Sequence, residues 1–122
     1  MSKITVYEKP TCTTCRKVHA ALKEAAVDFK AVNYFIRPMS GVKIKELLSK
    51  MGISAGELLR KKEPVYKRLG LDKKEHSADE LVALMAEYPD LIQRPIIEMG
   101  KRAVLARPPD RIFEIVPRRR VK

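Results

Sequence analysis

The feature that most constrains the fold is a junction between a strand and a helix that carries both cysteines of the chain. A short apolar run at residues 4–7 precedes it, and apolar residues at i, i+3, i+4 and i+7 from Val18 to Ala25 mark one face of a helix after it. Cys12 and Cys15 lie between the two segments. The first N–H groups of a helix lack intrahelical partners and carry partial positive charge, which stabilises a thiolate. We therefore predict that Cys12 is a catalytic nucleophile with a lowered thiol pKa.

Charged residues on either side of Cys12 bear on this prediction. Lys9 and Arg16 supply positive charge near the sulfur, and we predict that Arg16 helps to stabilise the thiolate. Glu8 acts in the opposite direction, because a nearby carboxylate raises the pKa of a thiol. We expect the cations to outweigh the carboxylate.

Cys15 follows Cys12 at the spacing of a redox motif and is predicted to be a resolving thiol. Two alternatives are that the cysteines are buried as small apolar residues or that they bind zinc. A zinc site would also need His19 and His76, whose spacing matches no common structural site. We therefore predict no metal site and no bound cofactor, and we expect His19 to be an inert residue of the helix surface.

Length and composition indicate the class of protein. The chain has 122 residues, of which 45% are hydrophobic, and we expect residues 1–122 to form a single domain. No apolar run approaches the ~20 residues of a membrane span, and the N-terminus has no secretory apolar region. The expected location is cytoplasmic, with no membrane partner. Structural disulfides are rare there, which favours a catalytic, redox-sensing or metal-binding role for the cysteines.

The net charge of +11 suggests an anionic partner, such as a small oxyanion. Part of this charge belongs to a basic tail at about residues 117–122, which we expect to be solvated. The chain has three phenylalanines, four tyrosines and no tryptophan, and these are not interleaved with basic residues. We therefore expect no direct binding of nucleic acid by base stacking.

The order of the predicted elements indicates a thioredoxin-like fold. A second strand at residues 29–35 completes a right-handed βαβ unit with the first strand and helix. Residues of about 40–88 are predicted to form helices. One is a short helix that runs from Ser54 through Arg60, and another begins with a capping box at Ser77. Strands at 95–99 and 102–106 form a hairpin about Gly100 and Lys101, and a last helix begins near Pro108. This order predicts an α/β fold with a four-stranded mixed sheet (βαβ…ββα) and a helical insertion between strands 2 and 3.

Several short stretches give the chain a resemblance to a known family. They are the Cys12 loop, Gly52-Ile53-Ser54, residues 58–64 and 66–71, Arg94-Pro95-Ile96 and Arg107-Pro108. Together they resemble the arsenate reductase family that couples to glutathione and glutaredoxin, and its sibling group, the Spx-type regulators. The resemblance extends from Ile4 to about Val116.

The resemblance implies roles for several residues. Cys12 corresponds to the nucleophile, and Arg60, Arg94 and Arg107 correspond to three arginines that bind a tetrahedral oxyanion. In a thioredoxin-like fold the proline at Pro95 is usually cis, so that Arg94 faces the cysteines. The implied enzyme reduces arsenate or a related oxyanion, and glutathione with glutaredoxin, or thioredoxin, is its external thiol donor.

Two positions depart from the reductase pattern. Reductases of this group commonly carry a histidine at the position of Glu8 and a hydroxyl residue at that of Cys15. Spx-type regulators carry a C-x-x-C motif and bind RNA polymerase, which makes a redox-sensing regulator the alternative. Arg107 favours the reductase, because Spx-type chains generally lack it. A general disulfide oxidoreductase is a third possibility.

Overall fold

A computed structural model describes residues 4–73 and 75–116 of the chain. The predicted basic tail at residues 117–122 lies outside the described residues. The chain divides into two compact units, one made of Met1–Arg37 with Arg94–Lys122 and the other of Pro38–Gln93. Organisation of the whole chain as one domain stays a prediction.

The first unit contains the strands β1 (Ile4–Glu8), β2 (Phe29–Asn33), β3 (Ile96–Met99) and β4 (Arg102–Leu105). They form a four-stranded mixed sheet in the order β2-β1-β3-β4. Strand β1 pairs in parallel with β2 and antiparallel with β3, and β3 pairs antiparallel with β4. Gly100, with φ of 61°, begins the turn between β3 and β4. The predicted thioredoxin-like sheet is therefore confirmed.

Helix α1 (Thr13–Glu24) covers one face of this sheet with its apolar stripe. Val18 and Leu22 are fully buried and belong to one core cluster with Val6 and Ile97. Residues two apart on a strand share a face, so Ile4, Val6 and Glu8 all project toward α1. This packing holds the start of α1, and with it both cysteines, at the end of β1.

The second strand is shorter than predicted. It ends at Asn33, and Tyr34 and Phe35 lie in a turn. The side-chain oxygen of Asn33 accepts a hydrogen bond from the Phe35 N–H at 3.0 Å, and its carbonyl oxygen accepts from Ile36 and Arg37. These bonds favour a turn over continuation of the strand, because asparagine can bond to its own backbone two residues on.

The last predicted helix is a 3₁₀ helix, Pro109–Glu114. Its hydrogen bonds include Arg111 N–H to the Pro108 carbonyl and Ile115 N–H to the Ile112 carbonyl, both spanning three residues. In a 3₁₀ helix the side chains at i and i+3 lie on one side, which buries Ile112 and Ile115 together. The predicted last helix is therefore present, but it is a 3₁₀ helix and not an α-helix.

The second unit, Pro38–Gln93, contains the predicted helical insertion. Ser40, Ser54 and Ser77 cap three of its helices through their side-chain oxygens, and the predicted capping box at Ser77 is present with Glu80. The helices are α2 (Gly41–Met51), α3 (Ala55–Leu58), α4 (Pro64–Arg68) and α5 (Ala78–Glu87), followed by a 3₁₀ turn at Pro89–Leu91. Among the described residues, every helix falls short of the length and apolarity that crossing a bilayer requires.

The helix predicted to run through Arg60 ends at Leu58. Leu59 is extended and forms an antiparallel bridge with Ile92, and the Arg60 N–H donates to the Leu91 carbonyl at 2.7 Å. The helix ends early because the backbone groups of Leu59 and Arg60 bond to the chain around Leu91 and Ile92 and not to a further turn of the helix.

The fully buried Ile97 provides a test of the core. We expect Ile97→Ala to lower the free energy of unfolding by about 2–5 kcal/mol, because the substitution removes buried methylene groups and leaves a cavity. Ile36, which is 77% exposed in the same unit, is the matched control, and Ile36→Ala should change stability by no more than about 0.5 kcal/mol. Urea denaturation measures both. Equal loss from the two variants would contradict the assigned core.

Candidate active site

Cys12 occupies the N-cap position of α1 and uses its sulfur as the capping group. The Cys15 N–H donates to the Cys12 Sγ at 3.3 Å. A turn positions Cys12, because its own N–H donates to the Lys9 carbonyl at 2.9 Å. Both cysteines are free thiols, with Cys12 partly exposed and Cys15 buried. The predicted position of Cys12 at the junction between a strand and a helix is confirmed.

The surroundings of Cys12 favour its thiolate. Partial burial acts against the charge, but hydrogen bonds from the Cys15 side chain and backbone, together with the Arg94 guanidinium, outweigh it and lower the pKa of Cys12. The thiolate is the nucleophilic form of cysteine. Cys12 therefore has the electrostatic setting and the exposure of a reactive thiol.

The surroundings of Cys15 have the opposite effect. Burial, the hydrogen bond and charge of Cys12, and the charge of Glu8 raise the pKa of the Cys15 thiol to about 12, against a smaller lowering by the Lys9 backbone N–H. Cys15 is therefore a protonated thiol near neutral pH. The two cysteines, three residues apart, are chemically distinct because one is partly exposed and the other is enclosed.

Arg94 is the cation that the structure brings to the Cys12 sulfur. Its side chain is only 7% exposed. Burial disfavours its charge, but contacts with Tyr34 and Cys12 outweigh this and raise the pKa of Arg94. The guanidinium also lies 5.8 Å from the centre of the Phe35 ring, and Lys9 Nζ lies 4.7 Å from that centre.

Arg107 is joined directly to Arg94. Its Nη1 donates to the Arg94 carbonyl oxygen at 3.0 Å. The two arginines are neighbours because Ile96 pairs with Leu105 in the hairpin, and Ala106 N–H then donates to the Pro95 carbonyl beyond the ladder. The Arg94–Pro95 peptide bond is cis, the isomer implied for Pro95, and Arg107–Pro108 is cis as well.

Two other predicted site residues have different positions. Arg16 is exposed on α1, where its backbone N–H bonds to the Cys12 carbonyl oxygen. Arg60 belongs to the second unit, where its Nε lies 3.0 Å from a Glu63 carboxylate oxygen. The predicted role of Arg16 toward the thiolate and that of Arg60 toward an oxyanion stay predictions.

Glu8 and His19 form a pair that the sequence did not predict. The His19 Nε2 contacts a carboxylate oxygen of Glu8, and the His19 ring packs edge-on against Phe29 with 4.9 Å between ring centres. Glu8 was considered for its effect on Cys12, yet its charge also acts on Cys15. His19, expected to be inert, instead joins the helix to the end of β1.

Tyr34 and Phe35 are the site residues that sequence reasoning missed. They were predicted as the last two residues of the strand at 29–35, where aromatic residues usually indicate a packed surface. The available signal was Asn33, because its side chain favours a turn, and this turn places the two rings beside Arg94 instead of in the strand.

Over residues 4–73 and 75–116, no group of three or more His, Cys, Asp or Glu side chains could hold a metal ion.

The effect of Arg94 on Cys12 can be measured by alkylation. We expect the rate of Cys12 modification by iodoacetamide to reach half its maximum at a pH below that of an ordinary cysteine. Arg94→Gln should move this midpoint upward, because the thiolate loses a neighbouring positive charge. Arg111→Gln, at a partly exposed arginine paired with Glu114, is the matched control. An unchanged midpoint in Arg94→Gln would remove Arg94 from the thiolate site.

Comparison with known proteins shows the family to which this chain belongs. The ArsC family matches residues 7–115. The chain is 35% identical to the uncharacterized protein YfgD of Escherichia coli, covering 93% of this chain and 97% of that protein. It is 33% identical to an arsenate reductase of Acidiphilium multivorum, covering 96% and 83% respectively. The structure of an arsenate reductase from Vibrio cholerae matches with a TM-score of 0.89 at 32% identity, covering 93% of this chain and 98% of that chain. The chain belongs to the ArsC family.

Proposed function

We propose that this protein reduces arsenate or a related tetrahedral oxyanion, with Cys12 as the nucleophile. The observation that carries the proposal is the Cys12 sulfur, whose pKa is lowered while the buried Arg94 guanidinium lies beside it. A nucleophile for arsenic and a cation for its oxygens are thus adjacent. Relatives named arsenate reductase support the choice of substrate.

Arginines suit a tetrahedral oxyanion because the planar guanidinium donates two parallel hydrogen bonds to neighbouring oxygens. Arg94 and Arg107 are held together by the hydrogen bond from one to the carbonyl of the other. In the proposed complex both guanidinium groups bind oxygens of the anion. The same positive charge keeps Cys12 in the thiolate form between turnovers.

The first proposed step is attack of the Cys12 thiolate on arsenic(V). A sulfur–arsenic bond forms, an arsenic–oxygen bond breaks, and the oxygen leaves as water after taking up protons. In the second step a thiol sulfur attacks the Cys12 sulfur and loses its proton. The sulfur–arsenic electron pair stays with arsenic, which becomes arsenic(III) and leaves as arsenite.

Cys15 is the thiol proposed for the second step. Its N–H and its side chain both bond to the Cys12 sulfur. Because Cys15 is buried, Cys12 is the sulfur within its reach. The step leaves a Cys12–Cys15 disulfide, which thioredoxin, or glutathione with glutaredoxin, reduces by thiol–disulfide exchange. The cytoplasm is the proposed compartment because it maintains such donors in the reduced state.

The roles of the two cysteines can be separated by steady-state arsenate reduction with each donor system. We expect Cys12→Ser to abolish turnover with both donors, because it removes the nucleophile. Cys15→Ser should remain active with glutathione and glutaredoxin, since an external thiol can replace Cys15, but should lose activity with thioredoxin. No turnover of the wild-type protein with either donor would refute the proposed function, and total loss from both variants with both donors would refute the separate roles.

The anion-binding role of Arg107 is tested by substitution. We expect Arg107→Ala to raise the KM for arsenate at least about tenfold, because hydrogen bonds between charged partners contribute about 1.5–3 kcal/mol. Arg111→Ala removes a comparable charge outside the proposed site and should leave KM unchanged. Arsenate titration followed by calorimetry supplies a second measure. Unchanged affinity in Arg107→Ala would exclude it from the site.

A second candidate function is redox-dependent binding of RNA polymerase. The observation that favours it is the direct hydrogen bonding between Cys12 and Cys15, since two such thiols can form a reversible disulfide. Pull-down with the polymerase α subunit under oxidising and under reducing conditions distinguishes this function. Absence of binding under both conditions would refute it.

A further inference from the structure

The resolving step requires Cys15 to lose a proton, and its surroundings oppose that loss. A thiol whose pKa is about 12 is ionised to only about one part in 10⁵ at pH 7. A nucleophilic thiolate is nevertheless needed for attack on Cys12. The proton must therefore pass to a base near the buried sulfur while the sulfur–sulfur bond forms.

Glu8 is the carboxylate that the fold places there. It is the last residue of β1, and its side chain is 6% exposed. The next residue, Lys9, donates its backbone N–H to the Cys15 sulfur, so the end of β1 and Cys15 are in direct contact. The negative charge of Glu8 also acts on Cys15.

His19 links this carboxylate to the surface. It lies four residues after Cys15 on α1, a separation that places two side chains next to each other on one helix surface. Its Nε2 contacts Glu8, while its side chain is 32% exposed. A proton taken up by the buried carboxylate therefore has a titratable neighbour through which it can reach water.

The other groups around Glu8 do not compete for this role. On the face of the sheet that carries Glu8, its partner on β2 is Asn33, and the described residues of β2 and β3 on that face are otherwise apolar. In the 3₁₀ helix that also packs on α1, Arg111 and Glu114 pair with each other and Asp110 is exposed. Lys9, the next residue in the chain, lies over Phe35. Arg94, at the start of β3, contacts Tyr34 and Cys12.

Burial of a carboxylate is costly unless it is paired, and the same unit contains a second example for comparison. Glu98 on β3 is also buried and accepts a hydrogen bond from the Tyr7 hydroxyl at 2.7 Å. A tyrosine hydroxyl stabilises a carboxylate without titrating near neutral pH. Glu8 instead has a histidine, the side chain suited to proton transfer in that range.

We propose that Glu8 is the base that accepts the Cys15 proton in the resolving step and that His19 positions Glu8 and passes the proton to water. The Cys15 sulfur forms a bond to the Cys12 sulfur, and the bond from Cys12 to its adduct breaks with its electron pair leaving on the adduct. This role rests on the proposed function of Cys15 as the resolving thiol.

The step can be isolated from arsenate chemistry with Ellman's reagent, 5,5′-dithiobis(2-nitrobenzoic acid), in a stopped-flow spectrophotometer. Cys12 attacks the reagent and releases one thionitrobenzoate in a phase whose rate depends on reagent concentration. Cys15 then attacks the mixed disulfide on Cys12 and releases the second thionitrobenzoate in a phase that does not depend on it. The first phase reports the nucleophile and the fold, and the second reports resolution.

We expect Glu8→Gln to slow the second phase about 10²-fold at pH 7, the lower end of the effect of a general base, and to leave the first phase nearly unchanged. Without the base, the second phase should accelerate about tenfold for each pH unit, because it then depends on the small thiolate fraction of Cys15. His19→Gln should give a smaller loss in the same phase. Glu98→Gln, which alters the other buried carboxylate, should change neither phase.

Three results would overturn the proposal. The first is a second phase in Glu8→Gln with the wild-type rate and pH dependence. The second is equal slowing of both phases, which would indicate a general disturbance of the structure. The third is a wild-type protein that releases no second thionitrobenzoate, because Cys15 would then not resolve. In that last case the steady-state assay with glutathione would still test arsenate reduction by Cys12 separately.

Discussion

The bond from the Cys15 N–H to the Cys12 sulfur is the contact on which the rest of the site depends. Helices usually begin with a serine, threonine or acidic oxygen that accepts the free N–H groups of the first turn, and here a sulfur has that position. A sulfur accepts a hydrogen bond more strongly as a thiolate than as a thiol. The hydrogen bond that caps the helix therefore also stabilises the nucleophilic form of Cys12. Any group that bonds covalently to Cys12 weakens this cap. In the proposed reaction, an adduct on Cys12 would therefore form at a helix start that favours the return of the thiolate.

A buried guanidinium complements this thiolate. Arg94 is surrounded by the Tyr34 hydroxyl, the Phe35 ring and the Cys12 sulfur, and it sits where the chain enters β3. The antiparallel pairing of β3 with β4 brings Arg107 to the same place, although the two residues are thirteen positions apart. The hairpin thus orients two cations at the end of the sheet where α1 begins. A site of this kind attracts an anion before any bond is made, which suits a reaction on an oxyanion.

Much of this arrangement follows from periodicity in the sequence, and the remainder depends on contacts that periodicity does not encode. The order of the strand-like segments and the apolar stripe of α1 predicted the sheet and the position of Cys12. The predicted end of β2 was wrong because the Asn33 side chain bonds to the Phe35 N–H and favours a turn over continuation of the strand. Helix α3 ends earlier than predicted because Leu59 pairs with Ile92. The Glu8–His19 pair joins a strand end to the second turn of a helix. Only the angle at which these elements pack decides whether such side chains meet.

The two cysteines show how far burial can separate residues of one motif. Cys12 and Cys15 are equivalent in the pattern C-x-x-C, yet Cys12 is partly exposed beside the Arg94 guanidinium, whereas burial, Cys12 and the charge of Glu8 raise the pKa of the Cys15 thiol. An external disulfide or oxyanion therefore has to meet Cys12 first, whichever function the protein performs. A redox switch needs only this asymmetry. The pair formed by Arg94 and Arg107 adds concentrated positive charge, which a dithiol switch does not require and a reductase of oxyanions does, and this difference is the physical ground for preferring the enzyme.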